Sequence, residues 1–353
     1  MKTGIANLPL HGGKAPSWLF KRMVALSREI TIFIVSEYGS HEFLRRISHP
    51  VWFQSLGCVL GFDWHSSGLT TTTCGALKEG IKGLEQDLGL FICGGKGGTS
   101  RKTPQEIANS GNKQSLRLIK ASKLSAKVDN TALQDGFQLY HHNFFFDKNG
   151  NWAVVQQGMN SETRYARRYH WLSDSLQSFV NNPHQAIVCN TKTKPLNLVA
   201  KKSRSSRQTI TEISKEKPDK ILKEWKKLVL LDLPSRHYIK TTDLKPIYLE
   251  KVLLQTYQEQ AKTFSDVLLT PNLGPKTLRA LTLLAEVLAG AKPSFEDPVQ
   301  YSFAHGGKDG IPYPVDRELY DQNIEILRKA ISKAKVPISE KKRASKQLDL
   351  FYS

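Results

Sequence analysis

The sequence predicts an α+β chain: a mixed N-terminal domain over 1–190, a basic linker over 191–207, an all-helical domain over 208–335 and a flexible basic tail over 336–353. Three observations carry this. Tyr140 to Phe146 and Trp152 to Gln157 read as strands, and Asp147-Lys148-Asn149-Gly150 between them suits a hairpin turn. Beyond residue 208 the patterning turns helical. A polar, basic stretch separates the two regions. A chain of 353 residues buries a substantial core and has room for two domains.

The elements follow in order. Pro16-Ser17 opens a helix whose apolar residues Leu19, Met23, Leu26, Ile30 and Ile34 keep helical spacing. Thr70 to Thr73 reads as a strand or a cap leading into a helix through Gly75 and Leu77. A further helix spans Asn112 to Val128, with Lys113, Arg117, Lys120 and Lys127 on one side. Arg164 and Arg168, with Tyr165 and Tyr169, have helical spacing after the strand pair. Then come helices at Lys215 to Leu231, Tyr248 to Leu269 and Thr277 to Leu288, the last rich in Leu and Ala. Asp316 sits where it caps a final helix running to about Ala334.

The charge balance narrows the partner. Lys plus Arg number 51 against 32 Asp plus Glu, a formal net charge of +19. Such an excess favours a polyanion through counterion release, and DNA is the simplest one. Between Lys96 and Lys127 there are eight basic residues and a single acid, Glu106, which marks Lys96, Arg101, Lys113, Arg117 and Lys120 as candidate phosphate contacts. A merely solvated basic face is the alternative. No apolar run approaches a membrane span, and Met1 to Lys14 lacks the apolar core of a signal peptide. The expectation is a cytoplasmic, nucleoid-associated protein, its oligomeric state open. Cys58, Cys74, Cys93 and Cys189 have no paired short spacing, which favours free thiols over zinc or disulfides.

The sharpest local signal is Leu268-Leu269-Thr270-Pro271-Asn272-Leu273-Gly274-Pro275-Lys276-Thr277. A turn that ends at a helix N-terminus offers orphan N–H groups and a positive dipole end to a phosphate oxygen. Pro275 suits the first helical turn, and Asn272 tolerates a left-handed backbone. Asn272, Leu273 and Gly274 are therefore candidate phosphate contacts. Lys276 is either a further phosphate-contacting charge or, if partly desolvated, an amine nucleophile. The stretch resembles the helix-hairpin-helix element of DNA glycosylases and their lyase relatives, with Asn272 replacing the first hairpin glycine and Gly274 standing at the second. That resemblance implies a helix-hairpin-helix domain, a Schiff-base role for Lys276 at an abasic sugar without a cofactor, and an assisting role for Asp316. Lys276 and Asp316 are 40 residues apart, so a loop must lie between them.

Gln347-Leu348-Asp349-Leu350-Phe351 follows a charged run close to the last residue. Apolar residues beyond such a run form either a docking peptide that orders on binding or a short anchor packed on the domain. The pentapeptide resembles the sliding-clamp-binding peptide of bacterial replication and repair proteins, which implies the clamp as a partner and a bacterial source. Across nearly the whole chain, Thr3 to Lys14, Tyr140-His141-His142 and Gln156 to Asn160 resemble a prokaryotic family called domain of unknown function 763, which implies no activity.

The N-terminal region has its own polar set: Asp63, His65, Asp129, Asp135, His141 and His142. Brought together they would hold Mg²⁺, Mn²⁺ or Zn²⁺ and activate water for phosphodiester cleavage; apart, they are hydrogen-bonded structural groups. The loop Gly94 to Ser100 lacks the P-loop ending, so nucleotide hydrolysis is not expected. The leading expectation is a DNA-repair glycosylase or abasic-site lyase recruited to the clamp. The alternatives are a Mg- or Mn-dependent structure-selective nuclease and a non-enzymatic DNA-binding adaptor.

Overall fold

The computed structural model describes residues 8, 15–62, 66–189, 191–229, 246–299 and 317–352. Helices α1 (Ser17–Ser48), α2 (Pro50–Val59), α3 (Gly68–Gly80) and α4 (Glu85–Leu88) lead into β1 (Leu90–Lys96). A 3₁₀ turn and α5 (Thr103–Asn109) follow, then α6 (Ser115–Lys127), which ends in a π turn over Val128–Ala132. Next come β2 (Leu133–Gln134), β3 (Gln138–Asp147), β4 (Trp152–Met159), β5 (Ala166–Leu172), β6 (Ala186–Val188) and β7 (Leu196–Asn197). The remaining described elements are helical: α7 (Arg204–Ile213), α8 (Pro218–Val229), α9 (Pro246–Glu259), α10 (Phe264–Leu269), α11 (Pro275–Ala289), α12 (Arg317–Lys333) and α13 (Ile338–Tyr352).

The fold is α+β around a five-stranded antiparallel sheet of order β1-β3-β4-β5-β6. Both faces of this sheet are covered. Phe91, Phe144, Phe146, Val154 and Trp171 point to one side and join Leu118, Leu124, Ile210, Val267, Leu268, Leu278 and Leu281 from α6, α7, α10 and α11. Leu90, Ile92, Phe145, Val155 and Leu172 point to the other side and join Ile34, Trp52, Leu77, Leu327 and Leu348 from α1, α2, α3, α12 and α13. Strands buried on two faces read as near-continuous apolar runs, which explains the unbroken Phe144-Phe145-Phe146.

Tertiary packing redraws several expected elements. Arg164 to Tyr169 is no helix: Ala166 to Leu172 form strand β5, buried along its whole length. Its arginines mislead because both are buried: Arg167 pairs with Asp135 and Asp297, and Arg168 donates to His170 and Gln54. Thr70 to Thr73 lie within α3. The single helix expected over Tyr248 to Leu269 breaks into α9 and α10, where Thr263 and Asp266 form a reciprocal capping box. The stretch 191–207 is packed in part: Leu196, Leu198 and Val199 join the first apolar cluster, and Arg207 donates from Nη1 to the carbonyls of Leu198 and Ala200, each at 2.7 Å, while Lys192, Lys194, Lys201, Lys202 and Arg204 stay exposed.

The tail is the clearest difference. Residues 338–352 form α13, and Leu348 is 1 % exposed in the core beside α2 and α12. Asp349 accepts a 3.0 Å ion pair from Arg328. Gln347 to Phe351 are therefore helical, with the central leucine anchoring the helix rather than projecting from a free tail. The side chains of Leu350 and Phe351 lie outside the described residues.

Candidate functional site

The α10–α11 turn is positioned by contacts from far back in the sequence. Asn272 has φ 63°, the left-handed conformation expected of it, and Gly274 caps α11 with an extended backbone. Leu273 is 1 % exposed and holds the turn in the core. Lys127, at the end of α6, donates from Nζ to the Leu273 carbonyl at 2.7 Å. Gln134 on β2 donates to the Pro275 carbonyl at 2.9 Å and to the Thr131 carbonyl at 3.0 Å. Its Oε1 accepts from Arg279 Nε at 2.8 Å. Lys120, expected to meet DNA, pairs with Asp266 of α10 at 3.4 Å and so braces α6 against the hairpin.

Between this turn and the residues leading into β3 lies a groove of about 790 Å³. Its walls include Asn130, Gln134 and Gln138 on one side and Asn272, Lys276 and Arg279 on the other. Lys276, the second residue of α11, is exposed along the groove. Asp316 lies outside the described residues.

One half-buried cation, Arg279, lines the groove, and a second, Lys127, is held at the Leu273 carbonyl of the hairpin outside the lining residues. Burial alone holds the Arg279 guanidinium and the Lys127 ammonium below their ordinary pKa ranges. Neither has a carboxylate within ion-pair distance among the described residues. Lys127 and Arg279 bond instead to a neutral carbonyl and a neutral amide. Beside them is the N-terminal end of α11, which carries partial positive charge and, with Gly274 as its cap residue, has no capping side chain. Desolvated positive charge without an acidic partner is costly, and an anion in the groove offsets the cost.

The other candidate phosphate contacts are dispersed. Lys96, Arg101, Lys113 and Arg117 are all exposed; Lys96 lies 5.9 Å from the Tyr140 ring centre, and Arg117 donates to Gln114 at 2.7 Å. Lys113 lies in the turn before α6, and Arg117 and Lys120 lie on its first turns; its last turn reaches the hairpin through Lys127.

The described acids and histidines of the N-terminal region do not gather at one site. Asp129 is fully buried and accepts from Trp171 Nε1 at 2.9 Å, from Gln156 and from His184. Asp135 accepts from Arg167 at 2.9 Å and Tyr169 at 2.7 Å; burial raises its pKa against the opposing pull of Arg167. His142 accepts from Ser122 Oγ at 2.9 Å and donates from Nδ1 to Gln156 Oε1 at 2.7 Å, a tautomer set by Gln156, whose amide donates to Asp129 and the Ser125 carbonyl. His141 points to the opposite face of the sheet, where both ring nitrogens are buried without a hydrogen-bond partner among the described residues. Asp63 and His65 lie outside the described residues. Among the described residues no three His, Cys, Asp or Glu side chains gather as a metal-binding group.

These histidines make a pH prediction. Burial pushes His142 down, and burial with the nearby His142 and Lys96 pushes His141 down to about 3. The unfolded chain then binds more protons than the folded one below about pH 6.5, so stability is full above that value and falls as pH drops toward 3. Urea midpoints between pH 7 and pH 5 should fall, and a His141→Gln variant should show a shallower decline. An identical decline in the variant would remove His141 from the account.

The comparisons add a family and no activity. A family model described as a protein of unknown function, DUF763, matches residues 4–315. No curated protein and no solved structure matches the chain.

Proposed function

The chain belongs to the DUF763 family, and from the chemistry of its groove we propose that it is a DNA-binding protein that holds a backbone phosphate at the α10–α11 hairpin. The observation that carries this reading is a groove in which the half-buried Arg279, with no carboxylate at ion-pair distance among the described residues, lies with the exposed Lys276 and the open N-terminus of α11. A neutral ligand would leave that charge uncompensated. A phosphodiester supplies the charge and accepts from backbone amides, which suits this end of a helix.

Within this reading Lys276 is the candidate nucleophile. It lies on α11 along the same groove, next to where a bound phosphate would place a sugar. DNA lying over this exposed amine would desolvate it, lowering the cost of a neutral amine for Schiff-base formation at an abasic site. The protein is then a repair lyase, with Asp316 the proposed assisting carboxylate. Clamp recruitment through Gln347 to Phe351 would first require α13 to leave its packing place, because Leu348 is buried.

The experiment is fluorescence anisotropy on a labelled oligonucleotide across a salt series. With at least two cations neutralised at the groove, log affinity should fall with log salt at a slope of about −2 or steeper. Absence of binding, or binding insensitive to salt, contradicts the proposal.

A further inference from the structure

The geometry points to Arg279 as an oxyanion fork, a second phosphate contact beyond the hairpin, which Gln134 aims into the groove. This rests on the groove being the DNA-binding face. Arg279 is one turn along α11 from Lys276 and lines the same groove. Only its Nε has a hydrogen bond among the described residues, to Gln134 Oε1 at 2.8 Å. The two Nη groups keep their N–H donors, in the planar arrangement that takes two oxygens of one phosphate side by side.

Gln134 has little freedom to do anything else. Its backbone is fixed by β2 pairing with Leu196 of β7. Its two amide hydrogens are taken by the carbonyls of Thr131 and Pro275, which leaves Oε1 alone to face Arg279. The amide orientation is therefore dictated by two carbonyls, and the guanidinium orientation by the amide. A glutamate here would neutralise the fork and set a carboxylate against two carbonyls; a neutral amide holds Arg279 without discharging it. That combination of fixed direction and retained charge suits anion capture. The hairpin amides and this fork lie one helical turn apart on α11, so adjacent phosphates of one strand are the ligand they fit together.

A double-mutant cycle on oligonucleotide affinity tests this, with wild type, Gln134→Met, Arg279→Ala and the double variant measured at one salt concentration. Arg279→Ala should weaken binding about tenfold or more, the worth of a charge-assisted hydrogen bond. Gln134→Met should weaken wild type by several-fold and leave the Arg279→Ala background unchanged, because it acts through Arg279. Additive losses would show that Gln134 only supports the hairpin, and would overturn its positioning role. Arg279→Lys serves as a second variant that keeps the charge and removes the fork: it should bind about as poorly as Arg279→Ala, and full affinity would overturn the fork. If wild type binds DNA with steep salt dependence while every Arg279 variant matches it, this inference falls and the hairpin reading stands. If wild type does not bind at all, both fall.

Discussion

Replacing Arg167 with Met should destabilise the protein by about 3–5 kcal/mol, the cost of leaving buried charge without its partner. Arg167 is fully buried between two carboxylates, at 2.9 Å from Asp135 and 2.9 Å from Asp297. Its Nη2 also donates to the Thr191 carbonyl at 3.0 Å, and Asp297 accepts from the Thr193 backbone at 2.7 Å. One guanidinium thus ties the groove wall, through Asp135, to β5 and to the segment before residue 300. The two flanking carboxylates raise its pKa against the effect of burial, so it stays charged at any working pH. Removing the carboxylates as well, in Arg167→Met with Asp135→Asn and Asp297→Asn, should recover part of the loss. Urea midpoints measure both. A loss below about 1 kcal/mol for the single change would mean that the charges are solvated and that the groove wall is not rigid.

The second large effect concerns chemistry. Borohydride should trap the protein on abasic duplex in EDTA, and Lys276→Ala should abolish the adduct while reducing affinity only modestly, since Arg279 and the α11 N-terminus remain. An adduct that survives the change would move the nucleophile elsewhere. No adduct from wild type, with binding intact, would leave the hairpin as a grip without amine chemistry.

How far the sequence could be read depended on how local each feature was. The β3–β4 hairpin, the apolar stripe of α1 and the left-handed turn at Asn272 rest on short-range rules, and the structure has all three. Strand β5 was hidden because Arg167 and Arg168 look like surface residues, and only Asp135 and Asp297, 32 and 130 residues away, reveal Arg167 as internal. The groove was half legible. Asn272, Gly274 and Lys276 announce a hairpin, whereas Lys127, Gln134 and Arg279 acquire their roles from contacts spanning 141 to 146 residues. One local sign existed: Arg279 sits on an otherwise apolar turn of α11, three residues after Lys276. The final helix misled for the opposite reason. Its charged run reads as a solvated tail, but Ala344 and Leu348 at helical spacing are enough to seat it.

The most direct measurement compares two reversals of equal charge on a protein that is basic throughout. Lys276→Glu changes the groove; Lys226→Glu makes the same change on the exposed side of α8. If the groove holds the DNA backbone, oligonucleotide affinity falls more than about tenfold for Lys276→Glu and stays within about twofold for Lys226→Glu at physiological salt, where distant charges are screened. Equal losses in the two variants would mean that net charge alone attracts DNA and that the hairpin groove is not its site.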